Sequence, residues 1–291
     1  MLQSSSAASI LRLAGPLSRE IVKYFWSPAT AHIYIPDELL AEPPKPMWLV
    51  PDLILADTMI VLAGDPGVGK SVLSYGLGMS LALSADFLGR PVACGRTLYF
   101  DEENSAQDRR GYLDTLWRGF GCPPPALIQE AFRLEHFTLA ASHDDPYERM
   151  AALAVEHRPA LIVLDTATPI CRIKDENDNA EASRVIRRLR AVRSSAPPGC
   201  TMLILKHARV EREKGHGKVI RRDIRGAKAW RGECDGLIFH VAKEGRPPKS
   251  GWRDTFIEPG KTRAHGLRDH LRVIPEPVNG GHHLRAIILE D

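Results

Sequence analysis

Residues 64–71 form a glycine-rich run, GDPGVGKS, with the spacing G-x-x-x-x-G-K-[ST]. Glycines in such a run let the backbone surround a phosphate with its N–H groups, while a following helix points its positive end at the same anion. Lys70 can then reach the β- and γ-phosphates, and the Ser71 hydroxyl can hold Mg²⁺. The run predicts an ATP and Mg²⁺ site formed by Gly64, Asp65, Pro66, Gly67, Val68, Gly69, Lys70, Ser71 and Val72.

Two further apolar runs end in carboxylates. The run LIVLD ends on Asp165, which we expect to bind Mg²⁺ through water; the alternative is an acid that only caps the next turn. The run TLYFDEEN carries three acids after its apolar part. Because hydrolysis needs a carboxylate to orient the attacking water, we predict this role for Glu103, with Glu102 as the alternative.

The predicted scaffold is an α/β domain. Four short apolar runs are typical of strands covered on both faces: residues 59–63, 97–100, 161–164 and 202–205. Between them lie helix-length stretches at 70–84, 106–120, 146–157 and 180–195. This alternation predicts a largely parallel sheet with helices on both faces. Four later strands without helices predict an antiparallel C-terminal extension, at 236–241, 252–257, 270–274 and 284–289.

Residues 1–56 have a different pattern. They contain one short amphipathic segment, Leu17 to Trp26, and a proline-rich connector, Pro36 to Pro51, that cannot be helical. We therefore predict an N-terminal arm and linker at 1–56, followed by an ATPase domain at 57–291.

Composition narrows the possible classes of protein. The 291 residues contain no stretch of about 18 apolar residues, so we expect a cytoplasmic protein without membrane contact. The five cysteines are far apart and form no C-x-x-C pair, which disfavours a zinc or redox site. The net charge is only +3, so any contact with nucleic acid must come from a local basic patch.

Such a patch occurs at residues 208–225. It has seven basic and three acidic residues, a balance of +4, and we predict a flexible loop because of Gly215 and Gly217. A cationic flexible loop suits the phosphates of single-stranded DNA, although it contains no aromatic residue for base stacking. The alternative is a solvated surface loop. The predicted contacts are Arg209, Arg212, Lys214, Lys218, Arg221 and Arg222.

Taken together, the motifs resemble the RecA-like hexameric P-loop ATPases of the RepA-type replicative helicase group, relatives of the DnaB-like helicases. The resemblance covers about residues 43–263 and is carried by PPKPMWLV, LAGDPGVGKS, LYFDEENSAQDRR, LDTATPICRIKDENDNAEASRVIRRLR, and LILKH followed by RGAKAWRGECDGL. The sequence departs from the group's pattern at Lys206-His207, where many relatives have His-His, and at RGAKAW, where RGSSAL is common.

The resemblance implies roles for individual residues. Glu103 would prepare the water, and His207 would sense the γ-phosphate. Lys261 and Arg263 resemble a K-x-R pair that enters the neighbouring subunit's ATP site, where a cation stabilises charge growing on the γ-phosphate.

The resemblance implies a ring of six subunits that hydrolyses ATP while it moves along single-stranded DNA and opens duplexes. A replication or mobile-element protein is the expected partner. One alternative is a recombinase-like or helicase-loading ATPase that does not unwind DNA. Another is a regulatory or defence protein that uses ATP to assemble. An AAA+ protein is disfavoured, because that class would have a helical lid where this sequence predicts strands.

Overall fold

The computed structural model describes residues 46–136, 145–212, 219–226, 228–242, 255–262 and 270–289. The sequence predictions for the segment Leu17 to Trp26, for Lys214 and Lys218, and for Arg263 concern residues outside these ranges.

Strands and helices alternate through the first two thirds of the described chain. The strands are β1 (Trp48–Val50), β2 (Ile54–Leu55), β3 (Met59–Gly64), β4 (Thr97–Asp101), β5 (Phe132–Glu135), β6 (Leu161–Asp165), β7 (Thr201–Arg212), β8 (Val219–Ile224), β9 (Gly236–Ala242), β10 (Thr255–Thr262), β11 (Leu271–Val278) and β12 (Gly281–Ile288). The helices are α1 (Lys70–Leu83), α2 (Ala106–Gly119), α3 (Pro125–Ala131), α4 (Pro146–His157), α5 (Ala167–Ile170), α6 (Asn179–Ser195) and α7 (Ala229–Glu233).

One large sheet organises the fold, with strand order β12-β11-β10-β9-β3-β7-β6-β4-β5. The strands from β5 to β9 in this order are mutually parallel, and β10, β11 and β12 add antiparallel neighbours at one edge. The predicted fold class, a parallel α/β core with an antiparallel C-terminal extension, is therefore confirmed. β5 and α3 are additional elements that the sequence analysis did not predict.

The central strands are apolar throughout because both of their faces are covered. Along β3, Met59, Val61 and Ala63 pack into one hydrophobic cluster, and Ile60 and Leu62 pack into a second one. The first cluster also contains the buried residues of α4 and α6, and the second contains those of α1. Alternate side chains of a strand point to opposite faces, so each face has its own layer of helices.

The structure corrects two predictions about the C-terminal half. The predicted flexible loop at 208–225 is largely a β-hairpin, since β7 continues to Arg212 and pairs with β8, from Ala208 opposite Ile224 to Arg212 opposite Val219. The strand predicted at 252–257 ends later than expected, because β10 extends to Thr262 and pairs Lys261 with Leu237. Ladder hydrogen bonds beyond the predicted strand ends explain both differences.

Residues 46–56 pack on the core rather than forming part of a separate linker. β1 and β2 form a small antiparallel pair, and Val50, Leu53 and Ile54 are buried in the cluster on the α1 face. The compact unit therefore begins at Pro46, earlier in the chain than the predicted boundary after residue 56.

None of the helices in the described ranges is both long and apolar enough to cross a membrane.

Candidate nucleotide-binding and hydrolysis site

The glycine-rich run leads from β3 into α1 as an open loop. Gly67 and Gly69 have φ angles of 71° and 96°, a backbone conformation that only glycine adopts without strain. α1 begins at Lys70, and no side chain caps its first turn, so its first N–H groups are available to an anion. The side chain of Lys70 is buried, and Nζ donates to the carbonyls of Gly64 and Asp65 at 3.0 and 3.1 Å.

Strand register brings two histidines to the start of this loop. Gly64 is paired with His207 of β7 on one side and with His240 of β9 on the other. A Cβ atom added to Gly64 would lie 2.3 Å from the carbonyl oxygen of His240, so only glycine fits there. His240 is fully buried and hydrogen-bonds Thr255 at 2.6 Å, and burial together with the charge of Lys70 lowers its pKa to about 3. A neutral imidazole therefore supports the base of the phosphate loop.

Asp165 and Ser71 are the residues that would hold Mg²⁺. Asp165 ends β6 and is 1% exposed. Its Oδ1 atom is buried and receives no hydrogen bond from the residues that the structure describes. Burial is the main cause that raises the pKa of Asp165 to about 6, with the charges of Asp101 and Glu103 acting in the same direction and hydrogen bonds from Ser71 and Tyr99 acting against it. A carboxylate with a free oxygen beside a hydroxyl suits a hard divalent cation, so the residues present fit the metal.

A second buried acid, Asp101, lies beside Asp165. The two residues are directly paired at the ends of β4 and β6. The hydroxyl of Tyr75 donates to Asp101 at 2.6 Å, and that of Tyr99 donates to Asp165 at 2.8 Å. The two tyrosine rings are stacked, with their centroids 4.3 Å apart. This pair of phenols holds both carboxylates in place beneath the phosphate loop.

Adjacent residues Glu102 and Glu103 point in different directions. The Glu102 side chain is only 8% exposed, and its Oε1 lies 3.5 Å from Nδ1 of His136, beside β5. Glu103 lines the cleft in front of the phosphate loop, and its Oε1 lies 3.7 Å from Nε2 of His207. This geometry favours Glu103 as the residue that orients water.

His207, for which the resemblance implies the role of γ-phosphate sensor, is paired with Gly64 at the start of the phosphate loop. Burial lowers its pKa, and the positive charge of Lys70 lowers it further, whereas Glu103 raises it. A lowered pKa keeps the imidazole neutral near pH 7, able either to donate or to accept a hydrogen bond.

The two departures from the resembled pattern lie against each other. Lys206 is 2% exposed, and its Nζ lies 4.6 Å above the centre of the Trp230 ring. The same Nζ is 3.7 Å from Oε1 of Glu176, which also accepts a hydrogen bond from Thr168. Burial lowers the pKa of Lys206, and Glu176 opposes this shift. The aromatic ring and the carboxylate together stabilise the buried ammonium.

The cleft in front of the phosphate loop has a volume of about 340 Å³. Sites for small molecules measure roughly 300–1,000 Å³. Its lining includes the phosphate loop with Glu103 and Asn104. It also includes residues that the sequence analysis did not select, namely Tyr112, His240, Thr255, Val273, Pro275 and Leu284.

Comparison with known protein families agrees with this geometry. The model of the AAA domain family matches residues 34–213, which include the phosphate loop, both buried acids and Glu103. The chain belongs to the AAA domain family. Because the match covers more than half of the chain, the protein is a P-loop ATPase. No curated protein sequence matches the chain significantly. This family is one of RecA-like P-loop ATPases, and the described residues after the match form β8, α7 and the strands β9 to β12, where the disfavoured AAA+ class would have a helical lid.

The remaining predicted site residues among those that the structure describes occupy two other places. Lys261 Nζ donates to the carbonyls of Arg231, Gly232 and Cys234 at 2.6, 2.9 and 3.1 Å, at the C-terminal end of α7. Arg209 is exposed on β7, opposite Asp223 of β8. The backbones of Arg212, Arg221 and Arg222 belong to the same hairpin. The roles predicted for these residues stay predictions.

Several residues of the site carry a weaker signal in the sequence. Asp101 and Asn104 belong to the predicted TLYFDEEN stretch, but nothing in their spacing distinguishes them from a solvated turn. His240 interrupts an apolar strand, which indicates burial and not proximity to the phosphate loop. Their positions near the phosphate loop depend on how the strands pair, which the amino-acid sequence alone does not reveal.

Glu103→Gln and Glu102→Gln form a matched pair of variants. Because Glu103 faces the cleft, we expect Glu103→Gln to bind ATP normally and to hydrolyse it about 10² to 10⁴ times more slowly. Glu102→Gln should stay close to the wild-type rate, since its carboxylate faces His136. Single-turnover hydrolysis and equilibrium ATP binding measure the two effects. A larger loss of hydrolysis in Glu102→Gln would reverse the assignment.

Proposed function

We propose that this P-loop ATPase is an ATP-driven motor on single-stranded DNA, and that it acts as a ring-forming DNA helicase. The observation that carries the proposal is the continuity of β7. This strand contains His207, beside Glu103, and continues without a break into the basic hairpin with β8. A movement of His207 at the γ-phosphate would therefore be transmitted along a few residues of a continuous strand to the basic hairpin.

His207 is the residue at which the phosphate site and the hairpin of β7 and β8 are connected. The carbonyl of His207 accepts a hydrogen bond from the main-chain N–H of Arg225 at 2.9 Å, and the next residue, Ala208, is paired with Ile224. Arg209, the following residue, is exposed. A shift of the sensor side chain would thus move the base of the hairpin directly.

In the proposed mechanism the loop amides and Lys70 hold the phosphates, with Lys70 exchanging its contacts to the Gly64 and Asp65 carbonyls for phosphate oxygens. Mg²⁺, held by Ser71 and Asp165, would neutralise phosphate charge when bound. Glu103 orients the attacking water, and His207 responds to the presence or absence of the γ-phosphate. The hairpin then changes its hold on the DNA backbone.

Single-stranded DNA should stimulate ATP hydrolysis, and the protein should unwind a forked duplex. Arg209→Glu should weaken binding to single-stranded DNA and reduce the slope of log affinity against log salt by roughly 1, the effect of one or two phosphate contacts. Arg187→Glu makes the same change of charge at an exposed position on α6 and should leave DNA binding unchanged. Filter binding over a salt series, steady-state ATPase assays and a fork-unwinding assay supply the data.

The outcomes separate the alternatives. Stimulation without unwinding would favour a recombinase-like or helicase-loading ATPase. Absence of both stimulation and unwinding would contradict the motor and favour a regulatory or defence protein that uses ATP to assemble.

We further propose that the active form is a homo-hexamer whose ATP sites are completed by the neighbouring subunit, with Arg263 as the residue delivered across the interface. The three carbonyl contacts of Lys261 would fix the end of β10, just before Arg263, against α7. A positive side chain supplied in this way stabilises the transition state and is worth about 10³ to 10⁵ in rate.

Mixing two inactive variants tests this shared site. Arg263→Ala and Lys70→Ala should each hydrolyse ATP poorly alone. Their mixture should regain part of the activity, because an intact phosphate loop in one subunit can meet an intact Arg263 from the next. Steady-state ATPase rates at several mixing ratios report the effect, and rates that only average the two parents would argue against a shared site.

A further inference from the structure

The side-chain amide of Asn104 lies among the oxygens of the magnesium site. Its Nδ2 is 3.0 and 3.2 Å from the two carboxylate oxygens of Asp101 and 3.2 Å from Oδ2 of Asp165. The same atom is 3.3 Å from Oγ of Ser71. Two of these three partners, Asp165 and Ser71, are the residues that would hold Mg²⁺.

Only a hydrogen-bond donor fits at this position. Three of the four neighbouring atoms are carboxylate oxygens, which accept hydrogen bonds, so the NH₂ group and not the carbonyl oxygen of Asn104 must face them. The two buried acids Asp101 and Asp165 are 0% and 1% exposed, and charged groups this deeply buried need donors. The Asn104 amide supplies them while no cation is present.

The turn that carries Asn104 is fixed to the same acid. The main-chain N–H groups of Glu103 and Asn104 both donate to Oδ1 of Asp101, at 3.1 and 2.9 Å. The main-chain carbonyl of Asn104 accepts a hydrogen bond from the guanidinium of Arg109. The backbone is thus held independently of the side-chain amide. The amide can give up its contacts while the turn stays in place.

A divalent cation competes directly with this amide. The hydrogens of an amide NH₂ carry partial positive charge, and they occupy lone pairs of Ser71 and Asp165 that a cation, or a water molecule bound to it, would use. We propose that Asn104 acts as an internal substitute for Mg²⁺: its amide satisfies Asp165 and Ser71 in the metal-free protein and withdraws from them when Mg²⁺ enters with the nucleotide. Asn104 is then a positioning residue that sets how strongly nucleotide binding depends on the metal.

The inference rests on the magnesium–nucleotide site of the P-loop ATPase and is independent of the proposed action on DNA. If the wild-type protein bound no nucleotide with or without Mg²⁺, the site itself would be wrong. If it bound nucleotide and the Asn104 variants behaved like wild type, only the inference about Asn104 would be wrong.

The first test compares ADP affinity in EDTA with ADP affinity in Mg²⁺. Asn104→Ala removes a charge-assisted hydrogen bond from the metal-free state alone. The dissociation constant of ADP in EDTA, divided by that in Mg²⁺, should therefore be about tenfold larger than in the wild type. Isothermal titration calorimetry with ADP gives both constants. A merely structural role would weaken both affinities together and leave the ratio unchanged, which would overturn the proposal.

The second test uses metal alone. Asn104→Asp replaces the donor with a third carboxylate, so this variant should bind Mn²⁺ without nucleotide at least tenfold more tightly than wild type, and Mn²⁺ should raise its melting temperature. Asn279→Asp adds the same charge at the exposed turn between β11 and β12, away from the cleft-lining residues, and should bind Mn²⁺ as wild type does. Equal Mn²⁺ affinity in the two variants would also overturn the proposal.

Discussion

Parallel pairing of the central strands is the constraint on which the site depends. β3 lies between β7 and β9, and β6 lies between β7 and β4, so these parallel strands run towards the same end of the sheet. At that end Gly64 is beside His207 and His240, and Asp165 is beside Asp101. A shift of one residue in any of these pairs would turn the polar side chain to the opposite face.

This concentration of polar groups has an electrostatic cost that the surroundings offset. Two carboxylates and one ammonium are almost fully buried at the site, namely Asp101, Asp165 and Lys70. Burial lowers the pKa of Lys70, and the nearby charges of Glu103, Asp165 and Asp65 oppose that shift. Phenol and amide donors stabilise the acids. A bound nucleotide with its metal would replace several of these internal contacts with stronger ones.

The sequence predicted the elements that are buried on both faces. The runs around Val61 and Val163 and the helix after Lys70 appear in the structure close to their predicted limits, because uninterrupted apolar runs that alternate with helix-length stretches are typical of buried strands and their connecting helices. The hairpin after His207 was missed because its charged residues and glycines are equally typical of a loop. β5, at the sheet edge, has one buried residue in four and so lacks a strong pattern.

The site could be predicted only where a motif fixes it. The phosphate loop and Asp165 follow from spacing and from the preceding strands, whereas the choice between Glu102 and Glu103 requires knowledge of where a turn points its side chains. The contact between Lys206 and Trp230 joins positions far apart in the chain.

The affinity of the wild-type protein for AMP, ADP and ATP in Mg²⁺ tests the central claim most directly. If the loop amides and Lys70 hold the β- and γ-phosphates, ADP and ATP should bind more than about 100-fold more tightly than AMP, because each hydrogen bond to a charged group is worth about 1.5–3 kcal/mol. The preference should largely disappear in Lys70→Ala. Equal affinity of the wild type for all three nucleotides would contradict the account.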